Sequence, residues 1–76
     1  MVSPSDLKPE RVMRAFERAG WENQGRMGKH YKMRKEGNPH ILSIPVHGSR
    51  PLKKGLFLAL LRFAGMTWEE FRRHYR

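Results

Sequence analysis

Apolar residues first recur at helical spacing. Val12, Met13, Phe16 and Ala19 fall at three- and four-residue intervals. Pro9 ahead of them suits a first helical turn, where its missing N–H costs nothing, and Glu10 adds a first-turn acid. Gly20 is a natural stop. The pattern predicts a helix from Pro9 to about Gly20, after a loose lead-in over residues 1–8. Lys8 makes a poor N-cap, because its side chain has no acceptor oxygen.

The spacing then shifts toward alternation. Trp21–Met27 predicts a first strand, interrupted in character by Gly25, and His30–Lys35 a second. Glu36, Gly37, Asn38 and Pro39 are turn residues, and His40–Val46 predicts a third strand. With 36–39 as the loop, Lys35 faces His40, Met33 faces Leu42, and Tyr31 faces Ile44. Directly opposed residues share a sheet face. Tyr31, Met33, Leu42, Ile44 and Val46 then make an apolar face. His30, Lys32, Arg34, Ser43 and His47 make the other, with Ile41 as its misfit.

Gly48, Ser49, Arg50 and Pro51 predict a loop. A helix follows from Leu52 or Lys53 to Ala64, with Gly65 as its stop. Thr67-Trp68-Glu69-Glu70 is a capping-box pattern, so a short last helix is expected over Trp68–His74. The long helix is apolar on more than one side. Phe57, Leu60, Leu61 and Ala64 form the stripe expected in the core, and Leu52, Leu56, Ala59 and Phe63 form a second. That second stripe has two expected fates: a deeply wedged helix under the last one, or a partner surface at Leu56, Ala59 and Phe63. The order helix, three strands, helix, short helix predicts a two-layer α+β domain over residues 1–76. Double-stranded-RNA-binding domains share that order.

Charge changes the picture most. Sixteen Lys and Arg against seven Asp and Glu give the 76-residue chain a net +9 and a pI near 10.9. The basic residues are spread along the chain, which points to a folded cationic face that meets nucleic acid. The chain has no cysteine. Disulfides and thiolate metal sites are therefore excluded, and a cytoplasmic location is expected. The apolar run Leu56–Leu61 is far too short to cross a bilayer, and no signal-peptide pattern is present. No Asp/Glu/His cluster has metal-ligand spacing, so neither metal nor other cofactor is expected.

Several short segments, in this order, resemble the HicA (YcfA-like) toxin family. Gly20-Trp21 closes the first helix, and Gly28-Lys29-His30 resembles the family's Gly-Ser-His. Ile44-Pro45-Val46-His47 resembles its Val-Pro-x-His. Leu52-Lys53-Lys54-Gly55, then Ala64-Gly65-Met66 and Glu69-Glu70-Phe71, resemble its C-terminal segment. The resemblance spans about Val12 to Phe71. It implies a fold similar to the double-stranded-RNA-binding domain, a ribonuclease activity on messenger RNA, and a HicB-type antitoxin as partner. Lys29 departs from the family serine, Leu56 from its frequent threonine, and Leu58 and Phe63 from its usual polar residues.

RNA cleavage needs a group to take the 2′-hydroxyl proton, a group to protonate the leaving oxygen, and cations for the phosphate. Histidine suits the proton work because its ordinary pKa is roughly 6.5. His30 matches the family's catalytic position, and His47 is a second candidate. His40 and His74 read most simply as surface residues. Lys29, Lys32 and Arg34 are candidate phosphate contacts, and Arg26 joins them from the first strand. Lys53 and Lys54 at the helix start are candidates for another phosphate. Three functions compete: a metal-independent endoribonuclease that blocks translation, a non-catalytic RNA-binding domain of the same fold, and a partner-binding module working through the apolar helix. The partner expected at that helix is the antitoxin or a second copy of the chain.

Overall fold

The computed structural model describes residues 3, 4 and 6–76. Among these the order is α1 (Pro9–Arg18), β1 (Glu22–Met27), β2 (His30–Arg34), β3 (Leu42–Pro45), α2 (Lys54–Ala64) and α3 (Trp68–Arg72). The α+β architecture is the one expected, with α1 and α2 packed on one face of an antiparallel sheet. It is consistent with a double-stranded-RNA-binding-domain-like fold.

Local chemistry sets the ends of α1 and α2. Beyond α1, the Gly20 N–H donates to the Glu17 carbonyl and the Trp21 N–H to the Phe16 carbonyl. With Gly20 at φ 100°, these are the two bonds of a Schellman stop. They hold Trp21 in the helix ending, so β1 begins one residue later than its pattern suggested. Gly65, at φ 69°, ends α2 through the same pair of bonds from Gly65 and Met66. α3 carries the expected capping box: Thr67 Oγ1 accepts from the Glu70 N–H at 3.1 Å, and Glu70 Oε1 accepts from the Thr67 N–H at 2.9 Å.

The sheet order is β1-β2-β3, with β2 central. Tyr31 pairs with Ile44 and Met33 with Leu42, the register the hairpin pattern predicted. The strands are shorter than expected, ending at Arg34 and restarting at Leu42. Asn38 explains this by binding its own loop. Its N–H donates to the Lys35 carbonyl, and its Oδ1 accepts from the His40 N–H. Its side-chain amide donates to the Phe63 carbonyl of α2 at 3.0 Å.

β3 lies at the sheet edge. The Val46 N–H donates to the Lys29 carbonyl at 2.7 Å, continuing the ladder past the strand's end. By alternation, Ser43 and Pro45 turn their backbone groups outward. Pro45, which has no N–H, thus occupies an edge position where none is needed.

The core lies between the sheet and the helices. Val12, Ala15 and Phe16 of α1 meet Met33, Leu42 and Ile44 of the sheet, Phe57 of α2 and Phe71 of α3, all fully buried. The Phe71 ring sits 5.0 Å from Phe16 and 4.8 Å from Phe57, centroid to centroid. Leu60 and Leu61 join them, as the first helical stripe predicted. Leu52, placed in the second stripe, is 4% exposed and belongs to the core. It precedes the helix, where the chain is extended, so helical spacing does not apply to it.

The lead-in expected over residues 1–8 is shorter than that. Leu7 is fully buried, and its carbonyl accepts from the Leu52 N–H at 2.9 Å. The Lys8 N–H donates to the Tyr75 hydroxyl at 3.0 Å, tying both ends of the domain together. Residues 1, 2 and 5 lie outside the described residues.

Candidate nucleic-acid interface

The sheet face away from the helices carries the expected basic set. His30, Lys32 and Arg34 alternate along β2 with the core-facing Tyr31 and Met33. His30 and Arg34 are exposed, and Lys32 Nζ donates to Ser43 Oγ across the hairpin at 3.0 Å. Neither His30 nor His47 has a side-chain hydrogen bond among the described residues, so their ring nitrogens are available to a ligand.

A two-residue turn places His30. Met27 pairs with His30 across it, leaving Gly28 and Lys29 as the loop. Gly28 has φ 62° and Lys29 does not have positive φ, the combination a type II′ hairpin turn asks of its first and second positions. The Gly-Lys-His motif therefore has a mechanical meaning. Gly28 reverses the chain, Lys29 stands exposed at the tip, and His30 opens the central strand. Arg26 braces this turn: its Nε donates to the Gly28 carbonyl at 3.0 Å, and its guanidinium lies 5.9 Å from the Tyr31 ring centroid.

That placement separates Arg26 from the basic face. The register of β1 shifts between Asn23 and Arg26, so Gln24 and Gly25 together oppose Lys32. One extra residue inverts the phase of everything after it. Arg26 then opposes Tyr31 and shares its helix-side face. Met27 takes the outer face beside His30 and is 68% exposed. The signal for the bulge was Gly25, which has φ 102° and whose N–H donates to Asn23 Oδ1 at 2.8 Å.

Across the outer face, Met27, His30 and Pro45 stand abreast on the three strands. Past Pro45 a cleft of about 270 Å³ opens between the end of β3 and the start of α2. Pro45, Pro51, Leu52 and Leu56 supply its apolar walls, and His47, Arg50 and Lys53 also line it. His47 and Lys53, near the two ends of the loop from β3 to α2, thus share one cleft. Pro45 connects that cleft to His30. Lys54 is exposed at the first turn of α2, and Lys53 is its N-cap residue without a side-chain cap. Arg50 and Met27 were not among the candidates read from sequence. Arg50 sat in an unremarkable loop, and Met27 was hidden by the bulge.

The outer side of α2 is unusually apolar. Leu56, Leu58 and Phe63 are 36%, 41% and 43% exposed, and Ala59 is half-buried. Phe63 is partly covered by the His40 ring, 4.9 Å away. Among the described residues no three His, Asp or Glu side chains gather as metal ligands. None of their helices is long and apolar enough to cross a membrane.

A search of curated proteins gave no match. A family model described as the HicA toxin of bacterial toxin–antitoxin systems matches residues 9–66. That stretch holds α1, the whole sheet with its Gly28-Lys29-His30 turn, and α2 with its cleft. The chain belongs to the HicA toxin family.

Proposed function

We propose that the protein is an endoribonuclease toxin that cuts messenger RNA in the cytoplasm and so inhibits translation. The observation that carries this is the exposed His30 at the start of the central strand, among Lys29, Lys32 and Arg34 on the face no helix covers. RNA supplies its own nucleophile. The 2′-oxygen attacks the adjacent phosphorus, the bond to the 5′-oxygen breaks, and a 2′,3′-cyclic phosphate and a 5′-hydroxyl result. His30 serves as the acid–base group in that transfer, and His47 is the candidate for the complementary proton. Lys29, Lys32 and Arg34 offset the charge that gathers on the phosphate. An Arg at such a site also binds phosphate in bidentate fashion, whereas a Lys acts as a point charge. Lys53 and Lys54 hold a more distant phosphate at the start of α2. No step in this chemistry calls for a metal ion.

The toxin is held inactive by a HicB-type antitoxin. The exposed apolar side of α2, at Leu56, Ala59 and Phe63, is its proposed contact. An apolar surface of this kind on a small domain marks a protein interface. Phe63→Glu should weaken antitoxin binding and leave RNA cleavage intact. A chain that instead dimerises through this side would lose its dimer on the same substitution.

Induced expression tests the reading in cells. The wild-type chain should arrest growth and degrade messages, and His30→Ala at equal expression should do neither. Intact messages under the wild-type chain would favour the non-catalytic RNA-binding alternative. Equal degradation by both chains would remove His30 from the mechanism.

A further inference from the structure

We propose that the cleft between β3 and α2 is a nucleobase pocket, seating one base of the RNA strand beside His30. The inference deepens the ribonuclease reading and rests on it for the identity of the polymer. Its basis is the chemistry of the walls. Pro45, Pro51 and Leu56 offer an apolar surface, and Arg50 and Lys53 add cations. Among the described residues no carboxylate lines the cleft. A nucleotide has the matching combination, an apolar aromatic plane carried next to an anion. A bare phosphate would leave the apolar walls unused. An apolar peptide side chain would leave Arg50 and Lys53 without a counter-charge. A second copy of a chain with net charge +9 would bring like charges together.

Size and place agree with this. The cleft's roughly 270 Å³ falls just under the range of about 300–1,000 Å³ that holds drug-sized ligands, which suits a single base. Pro45 belongs to the cleft and also pairs with His30 across the hairpin. Opposed residues of this non-hydrogen-bonded kind have Cα atoms about 4.5 Å apart. A nucleotide seated in the cleft therefore runs its backbone over Pro45 toward His30 and Lys29. The cleft would read the base next to the bond that is cut, while the open sheet face holds phosphates without regard to sequence.

The test titrates the isotope-labelled full chain with the four nucleoside 3′-monophosphates and, separately, with inorganic phosphate, followed by NMR. At least one nucleotide should shift the amide resonances of His47, Arg50, Lys53 and Leu56 at about tenfold lower concentration than phosphate does. Leu56→Trp, which fills the cleft, should abolish that advantage and raise KM for RNA cleavage about tenfold, with kcat changed less. Equal responses to phosphate and to every nucleotide would overturn the proposal. So would resonances that ignore nucleotides and move only when antitoxin is added. The wild-type titration decides the matter even where the variant folds poorly. Nucleotide-specific shifts in a chain that cuts no RNA would sink the ribonuclease reading and keep the pocket. Normal cleavage with an unchanged KM in Leu56→Trp would do the reverse.

Discussion

The two faces of the sheet share one backbone and almost no chemistry. On β2, Tyr31 and Met33 point to the helices, while His30, Lys32 and Arg34 point away. Met33 is fully buried and Arg34, its neighbour, is exposed. The pleat alone keeps stability and candidate chemistry apart, because successive side chains leave a strand on opposite sides. One face should therefore be breakable without the other. Where the phase slips, at the β1 bulge, the assignment reverses within one strand and Arg26 becomes a brace for the turn.

The largest effect on the buried face should come from Met33→Ala. Truncating a buried Met costs about 2–5 kcal/mol, a large share of the roughly 5–15 kcal/mol that holds a domain together. Urea denaturation should show this loss. A loss below about 1 kcal/mol would mean that the face is loosely packed.

Gly28→Ala touches both faces at once. An L side chain in a left-handed conformation costs roughly 1–2 kcal/mol, and the turn that sets His30 would relax to avoid it. Thermal melts should show the destabilisation, and RNA cleavage should fall with it. Unchanged cleavage would mean that His30 does not depend on this turn.

Substituting Lys32 and Arg34 together by Gln should leave stability within about 0.5 kcal/mol, as for most surface changes. Binding to single-stranded RNA should become less salt-dependent. Each lost phosphate contact lowers the log–log salt slope by about 0.7, so a drop near 1.4 is expected for the pair. An unchanged slope would show that RNA lies elsewhere.

The smallest effect is a pH dependence far from either face. The Glu70 carboxyl is held below its ordinary pKa, first by the Thr67 backbone N–H, then by the Thr67 side chain. A depressed carboxylate pKa adds stability that is fully present above the ordinary carboxylate range. That stability is lost as pH falls through the lowered value. Wild type and Glu70→Gln should differ in melting midpoint at neutral pH and converge in acid. A constant gap would assign the effect to shape and not to charge.

The hairpin register was legible because Tyr31, Met33, Leu42 and Ile44 alternate around an unambiguous turn. The α3 cap was legible for a similar reason, since Thr67 and Glu70 stand at capping-box spacing. Leu7 was not, because one apolar residue in a short segment has no periodicity to reveal its burial. The bulge was visible only as Gly25, a residue that weakens a strand pattern without saying by how much it shifts. The cleft had no sequence signal at all. It is built from the loop between β3 and α2, and periodicity does not say how that loop bends to set His47 and Lys53 around one space. His30 was singled out by the family resemblance, whereas its place on an uncovered basic face followed from strand alternation.

The most direct measurement is single-turnover cleavage of a defined RNA by the purified wild-type chain and by His30→Ala, with the product ends identified. The wild type should leave 2′,3′-cyclic phosphate and 5′-hydroxyl ends. The variant should cut about 10²–10⁴-fold more slowly, at an unchanged melting midpoint. A variant that cuts at the wild-type rate, or a 2′-deoxy substitution at the cleaved position that is cut equally well, would contradict it.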